Sequence, residues 1–275
     1  VTRATLDRVA YGPWALVVGA SDGVGAAFAE AVAGSGIGVV LLARRGEVLD
    51  RVADGIRSRT GAETRVLVVD LGTPDAAKSI VAATSDLEIG LLIYCAGADT
   101  DYQPFLSNSI DAAETMLRRN CLIPMQLSHH YGRAMAQRGR GGIVILSSGA
   151  AFVGAPNMAV YGATKAFDMI FAESLWSELR GHGVDALGVV LGVTDTPSLR
   201  RTREQRGLAG ADEPVPGATA PEEVVHAAFA GLGRVPTVMA GKQIRRGARF
   251  ITPIPRSLLV RIMVRASRRA MGPDE

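Results

Sequence analysis

The sequence predicts an α/β protein in which one doubly wound parallel sheet is flanked by helices in a single domain. Three observations predict it. Short runs rich in Val, Ile and Leu recur from Trp14 to about Ala240, longer amphipathic stretches separate them, and a glycine-rich turn follows the first run. Branched apolar runs suit strands buried on both faces, and a helical stretch between two of them is the crossover that parallel strands need. No Pro/Gly/Ser-rich linker divides the 275 residues, and 48% hydrophobic with 21% charged residues is enough to bury one sizeable core.

The elements follow in order. Strands are expected near 14–19, 37–43, 65–70, 90–95, 142–147, 184–191 and 236–240, with helices between them, the longest near 110–137 and 158–180. Residues 197–216 are polar and rich in Arg and Gly, and they follow a strand, so they are expected to form a mobile lid over substrate. Thr219-Ala220-Pro221-Glu222 is expected to open the next helix with a capping box. Over about 255–270, Leu258, Leu259, Ile262, Met263 and Ala266 fall on one side of a helical wheel and Arg261, Arg265 and Arg268 on the other. That basic amphipathic helix has two readings. It docks on this domain or a second subunit, or it makes a peripheral contact with anionic lipid.

Several classes are excluded. The longest apolar runs, Val39–Ala43 and Ala186–Val193, are far short of the roughly 18 residues a membrane span needs. The stretch after Arg3 and Arg8 runs into the glycine turn, which argues against a secretory signal. Cys95 and Cys121 have neither metal-ligand spacing nor a disulfide framework, so no metal site is expected and a cytoplasmic location is, with peripheral attachment at the inner membrane surface left open. Ten of the 30 Lys and Arg residues lie between Val224 and Pro273, a stretch with no acidic residue. Nucleic acid is a poor explanation of that charge, because aromatics are 5% and none interleave with these arginines.

In such a sheet, ligands bind beyond the carboxyl ends of the strands. The first strand ends in Gly19-Ala20-Ser21-Asp22-Gly23-Val24-Gly25 and enters the helix Ala26–Ala33. Glycines there let the backbone approach a pyrophosphate, and the helix N-terminus supplies free N–H groups. About 20 residues on, an NAD site places an acidic side chain against the ribose 2′-hydroxyl. Here Arg44 and Arg45 stand instead, and guanidinium groups pair with a 2′-phosphate, so NADP(H) is favoured over NAD(H) unless the pair is merely solvated. Tyr161 and Lys165, four apart, share a helix face, where an ammonium favours phenolate. Ser148, thirteen positions before Tyr161 at a strand end, is placed to hydrogen-bond a reacting oxygen.

The ordered set of glycine turn, Asp70, Ala96-Gly97, Asn120, Ser147-Ser148, the Tyr-x-x-x-Lys pair and Gly192 resembles the short-chain dehydrogenase/reductase family over roughly residues 12–240. The resemblance implies a Rossmann-type fold and interconversion of a carbonyl and an alcohol by hydride transfer. It implies Tyr161 as proton donor, Lys165 on the nicotinamide ribose and biasing Tyr161, Ser148 positioning the carbonyl, and Asn120 holding a water in a proton relay. It places Asp70 and Leu71 beside the adenine, Ala96 and Gly97 near the adenosine ribose, and Thr194 and Thr196 around the carboxamide. It also implies a homodimer or homotetramer joined through the long helices.

Departures from the family pattern are Val18 for a common threonine, Tyr94-Cys95 where two asparagines are usual, and Leu191 where a proline commonly precedes Gly192. Cys95 is read as packing. Ala150, Phe152, Met158 and Leu199 suggest an apolar substrate, lipid-like or steroid-like, though core packing explains such residues as often. Two alternatives stay open: a 3-oxoacyl-[acyl-carrier-protein] reductase docking its acidic carrier on the basic segment, and a catalytically silent NADP(H)-sensing regulatory protein.

Overall fold

The structure, a computed structural model, describes residues 5–97, 102–210 and 213–251 together with Ile262, Arg265, Ala266 and Arg269. Its seven strands are β1 (Trp14–Val18), β2 (Gly38–Ala43), β3 (Thr64–Val68), β4 (Ile89–Tyr94), β5 (Gly141–Ser148), β6 (Val184–Leu191) and β7 (Thr237–Ala240). They form one parallel sheet in the order β3-β2-β1-β4-β5-β6-β7. The order reverses between β1 and β4, which opens a crevice at their carboxyl ends.

Helices α1 (Arg8–Tyr11), α2 (Gly23–Ala33), α3 (Gly46–Thr60), α4 (Ala76–Ala83), α5 (Ile110–Leu117), α6 (Ile123–Arg138), α7 (Ala159–Leu179), α8 (Pro197–Gln205), α9 (Pro221–Gly231) and α10 (Lys242–Ile251) accompany the sheet. One core layer packs Phe28, Val32, Leu49 and Phe229 of α2, α3 and α9 against the sheet. The other packs Ile80, Leu127, Met135 and Ala172 of α4, α6 and α7 on the opposite face. Strands β1, β2 and β4 are buried almost throughout, which is why they read as unbroken apolar runs.

Four expectations change. The helix expected over 110–137 is broken by a π-helical turn at Arg118–Leu122. The third strand stops at Val68, leaving Asp70 and Leu71 in the following turn. No capping box opens α9: its N-cap is Ala220, without a side-chain hydrogen bond, and Pro221 takes the first turn, where a missing N–H costs nothing. The expected lid contains the helix α8, capped by Thr196, whose Oγ1 accepts from Leu199 N at 3.2 Å. Apart from Ile262, Arg265, Ala266 and Arg269, which are exposed, the helix expected over 255–270 lies outside the described residues. Among the described residues no helix is long and apolar enough to cross a membrane.

Candidate active site

The crevice between β1 and β4 is narrow because glycine lines it. Gly19 has φ +90°, and a Cβ there would stand 2.9 Å from Ala96 N across the crevice. A Cβ on Gly25 would fall on the Gly19 carbonyl, so only glycine lets α2 sit so close to β1. Asp22 is the N-cap of α2 yet makes no side-chain cap hydrogen bond. Its carboxylate instead accepts from Arg45 Nη2 at 2.7 Å, and Ser21 Oγ accepts from the same nitrogen at 3.1 Å. The first N–H groups of α2, with Val24 buried behind them, are thus left for an anionic ligand. Arg44 is exposed beside Arg45. The glycine cradle, the uncapped helix end and the two arginines fit a phosphorylated dinucleotide.

Beyond β4, Gly97 has φ +127°, and a Cβ there would lie 2.9 Å from Asn120 Oδ1 and 3.0 Å from Lys165 Nζ. Three segments distant in sequence therefore meet at one point. Asn120 is wholly buried in the π turn, and its Nδ2 donates to Thr164 Oγ1 at 2.9 Å and to Gly97 O at 3.4 Å, while its Oδ1 accepts from Arg119 Nε at 3.1 Å. Pro124 has no N–H for the carbonyl four residues earlier, and the Ile123 N–H bonds back to Arg118 O. The Arg119 carbonyl then accepts from the Tyr94 hydroxyl, so the unusual Tyr94 braces the turn that carries Asn120.

Lys165 lies in α7, and its Nζ is 5.9 Å from the centre of the Tyr161 ring. Nζ donates to Leu146 O at 3.0 Å and to Asp168 Oδ2 at 2.9 Å, which leaves one N–H for a ligand. Both partners of this ion pair are buried, with side chains 5% and 2% exposed. Burial works against the ammonium, but the charges of Asp168 and then Tyr161 outweigh it and raise Lys165 above its ordinary value. Burial raises the Asp168 carboxyl against the lowering effect of Lys165, and its Oδ1 has no hydrogen-bond partner. The end of β5 is tied to the same helix by Ser147, whose Oγ donates to Lys165 O at 2.7 Å, while the Oγ of Ser148, its last residue, accepts from Ala150 N at 3.2 Å in the turn that follows. An open crevice beside Tyr161 is lined by Phe105, Met116, Met158 and Val160, with Asn108 and Asn157 at polar points.

The remaining expected residues are more peripheral. Asp70 is exposed, its Oδ1 accepting from Gly72 N at 2.9 Å, and Leu71 is buried. Thr194 Oγ1 donates to Gly192 O at 3.2 Å, and the Thr196 hydroxyl is occupied in capping α8, so both hydroxyls already have partners. Sequence reasoning missed Asp168, a helical aspartate that reads as surface charge. It also missed Ile244 of α10, whose Cδ1 would stand 2.9 Å from a Cβ on Gly149, the residue after Ser148. Burial pushes up the Cys121 thiol to about 11 and Cys95 further still, which suits packing rather than reactivity.

The family model for short chain dehydrogenases matches residues 13–207. The 7beta-hydroxysteroid dehydrogenase of Collinsella aerofaciens is 36% identical over 236 residues, covering 86% of this chain and 89% of that one. A solved 7beta-hydroxysteroid dehydrogenase structure superposes with a TM-score of 0.84 at 34% identity, covering 93% of this chain and 98% of that chain. A short-chain dehydrogenase from Sphingobium yanoikuyae in complex with NADPH superposes with a TM-score of 0.74 at 28% identity, covering 86% and 92%.

Proposed function

The chain belongs to the short-chain dehydrogenase family, and from that premise we propose that it interconverts a ketone and a secondary alcohol on a rigid apolar substrate of the hydroxysteroid class, with NADP(H). The observation that carries the chemistry is the buried Lys165 ammonium 5.9 Å from the Tyr161 ring. A nicotinamide, when bound, supplies or accepts the hydride at the substrate carbon. Tyr161 gives its hydroxyl proton to the carbonyl oxygen in reduction and takes it back in oxidation, while Ser148 holds that oxygen by a hydrogen bond. Lys165 stabilises the phenolate left on Tyr161 and offers its remaining N–H to a ribose hydroxyl. Asn120 positions Gly97 and Thr164, which fixes the Lys165 side of the site.

The substrate class rests on the two hydroxysteroid dehydrogenase relatives and on the apolar lining beside Tyr161. The preference for NADP(H) rests on Arg44 and Arg45 at the end of β2, where an acidic residue would select NAD(H). The segment 197–216, with α8, acts as the substrate lid. The free cysteines fit a cytoplasmic location, and exposed apolar side chains on α5, α6 and α7 fit a homo-oligomer.

The test is reduction of 7-oxo steroids by purified protein with NADPH and NADH in parallel, with product configuration read by chromatography. Tyr161→Phe is expected to lower kcat about a thousandfold while the NADPH Kd stays within about twofold. Near-normal turnover by that variant would falsify the assignment of Tyr161. A protein that ignores every steroid but reduces acyl thioesters would overturn the substrate class alone.

A further inference from the structure

The lid reaches into the dinucleotide cradle. Arg201, on α8, donates through Nη2 to Asp22 Oδ2 at 3.1 Å, and Arg45 donates through its own Nη2 to the same oxygen at 2.7 Å. The two nitrogens therefore lie within about 6 Å of each other, a spacing that the oxygens of one phosphate can bridge. The lid is seated there by more than this bond: a Cβ on Gly23 would stand 3.0 Å from Thr196 Cγ2, so the start of α8 rests on the glycine turn. The neighbouring Arg200 is not available for this role, because Asp195 holds it by two hydrogen bonds of 2.7 Å. With Arg200 held by Asp195, the next residue of α8, Arg201, is the one that reaches Asp22.

We propose that Arg201 is a second guanidinium for the 2′-phosphate of the dinucleotide, supplied by the substrate lid, so that the phosphate distinguishing NADP(H) from NAD(H) also holds the lid on the cradle. The inference rests on the NADP(H) reading above and deepens it. One carboxylate shared by two guanidinium groups leaves the trio with net positive charge, and Arg44 adds to it. The side chains of Arg45 and Arg201 are 49% and 48% exposed, open to an incoming dianion, while Asp22 keeps both heads together beforehand. A phosphate then accepts from both arginines with little reorganisation. Arg45 belongs to the cofactor wall and Arg201 to the lid, so one phosphate ties the two together.

The experiment needs no turnover. Adenosine 2′,5′-bisphosphate and adenosine 5′-monophosphate are titrated calorimetrically into wild type, Arg45→Gln and Arg201→Gln. Each variant is expected to lose about fivefold to tenfold in affinity for the bisphosphate and less than about twofold for the monophosphate. In parallel, tryptic cleavage after Arg203 and Arg206 is followed: the bisphosphate should protect wild type, the monophosphate should not, and Arg201→Gln should lose the protection. If Arg45→Gln weakens the bisphosphate but Arg201→Gln binds and protects as wild type does, the lid inference fails and the NADP(H) reading stands. If wild type itself does not prefer the bisphosphate, the NADP(H) reading fails and takes the inference with it.

Discussion

At the scale of single residues, the site is held by three side chains of unequal legibility. Tyr161 and Lys165 announce themselves by helical spacing, whereas Asp168, three residues further on the same helix, has no signature that separates a buried counter-ion from surface charge. Removing one partner of a buried pair leaves the other charge without compensation, at a cost of roughly 3–5 kcal/mol, while replacing both by apolar groups is near neutral. Asp168→Ala is therefore expected to lower stability in urea by about 3 kcal/mol, and Lys165→Met with Asp168→Leu to restore most of it without restoring activity. A double variant as unstable as the single would place the cost in packing instead. Gly97 carries a second prediction. Its φ of +127° and the crowding by Asn120 and Lys165 make Gly97→Ala cost about 1–3 kcal/mol, read as a lowered Tm, with weakened NADPH binding alongside.

At the scale of elements, the strands were legible because parallel strands buried on both faces must be apolar runs, and the seven expected positions agree with β1 to β7 to within a few residues. The π turn between α5 and α6 was not read, although Pro124 carried the signal: it denies a hydrogen bond to the carbonyl of Asn120, four residues before it. Helix α8 was hidden because its residues are polar almost throughout, so no apolar periodicity marks it. Asp195 helps to hold it, accepting from Arg200 Nε and Nη2 at 2.7 Å each. The Arg200 hydrogen bond, chiefly, depresses the Asp195 carboxyl below the usual value. A carboxyl depressed on folding stabilises above its unfolded value, about 4, and that contribution is lost as pH falls through the lower folded value. Amide exchange in 199–205, corrected for intrinsic rate, should thus be flat from pH 8 to 5 and rise only below about pH 4, and Asp195→Asn should exchange faster at pH 7. Equal protection in the two proteins at pH 7 would remove Asp195 from the account of the lid.

At the scale of the whole molecule, the sheet order explains why residues from five strand ends meet on one side: β1, β2, β4, β5 and β6 all point their carboxyl ends to where Gly19, Arg45, Gly97, Ser148 and α8 stand. The opposite question is what covers the apolar surface that this arrangement leaves outside. Leu117 of α5, Leu122 of the π turn, Met125 of α6 and Ile170 of α7 are 44%, 40%, 40% and 55% exposed, and α5 packs directly on α7. Large side chains so placed along adjoining helices suit burial against a second copy, as in a symmetric pairing of helices. Leu122→Glu with Ile170→Glu would put two carboxylates into that contact, where desolvation without a partner is costly. Light scattering at micromolar concentration is expected to give a multiple of 28.8 kDa for the wild type and a single 28.8 kDa species for the double variant, with the circular dichroism of both unchanged. A wild type that scatters as a monomer would leave these side chains without a partner copy, and a double variant that keeps its oligomeric mass would move the interface to another face.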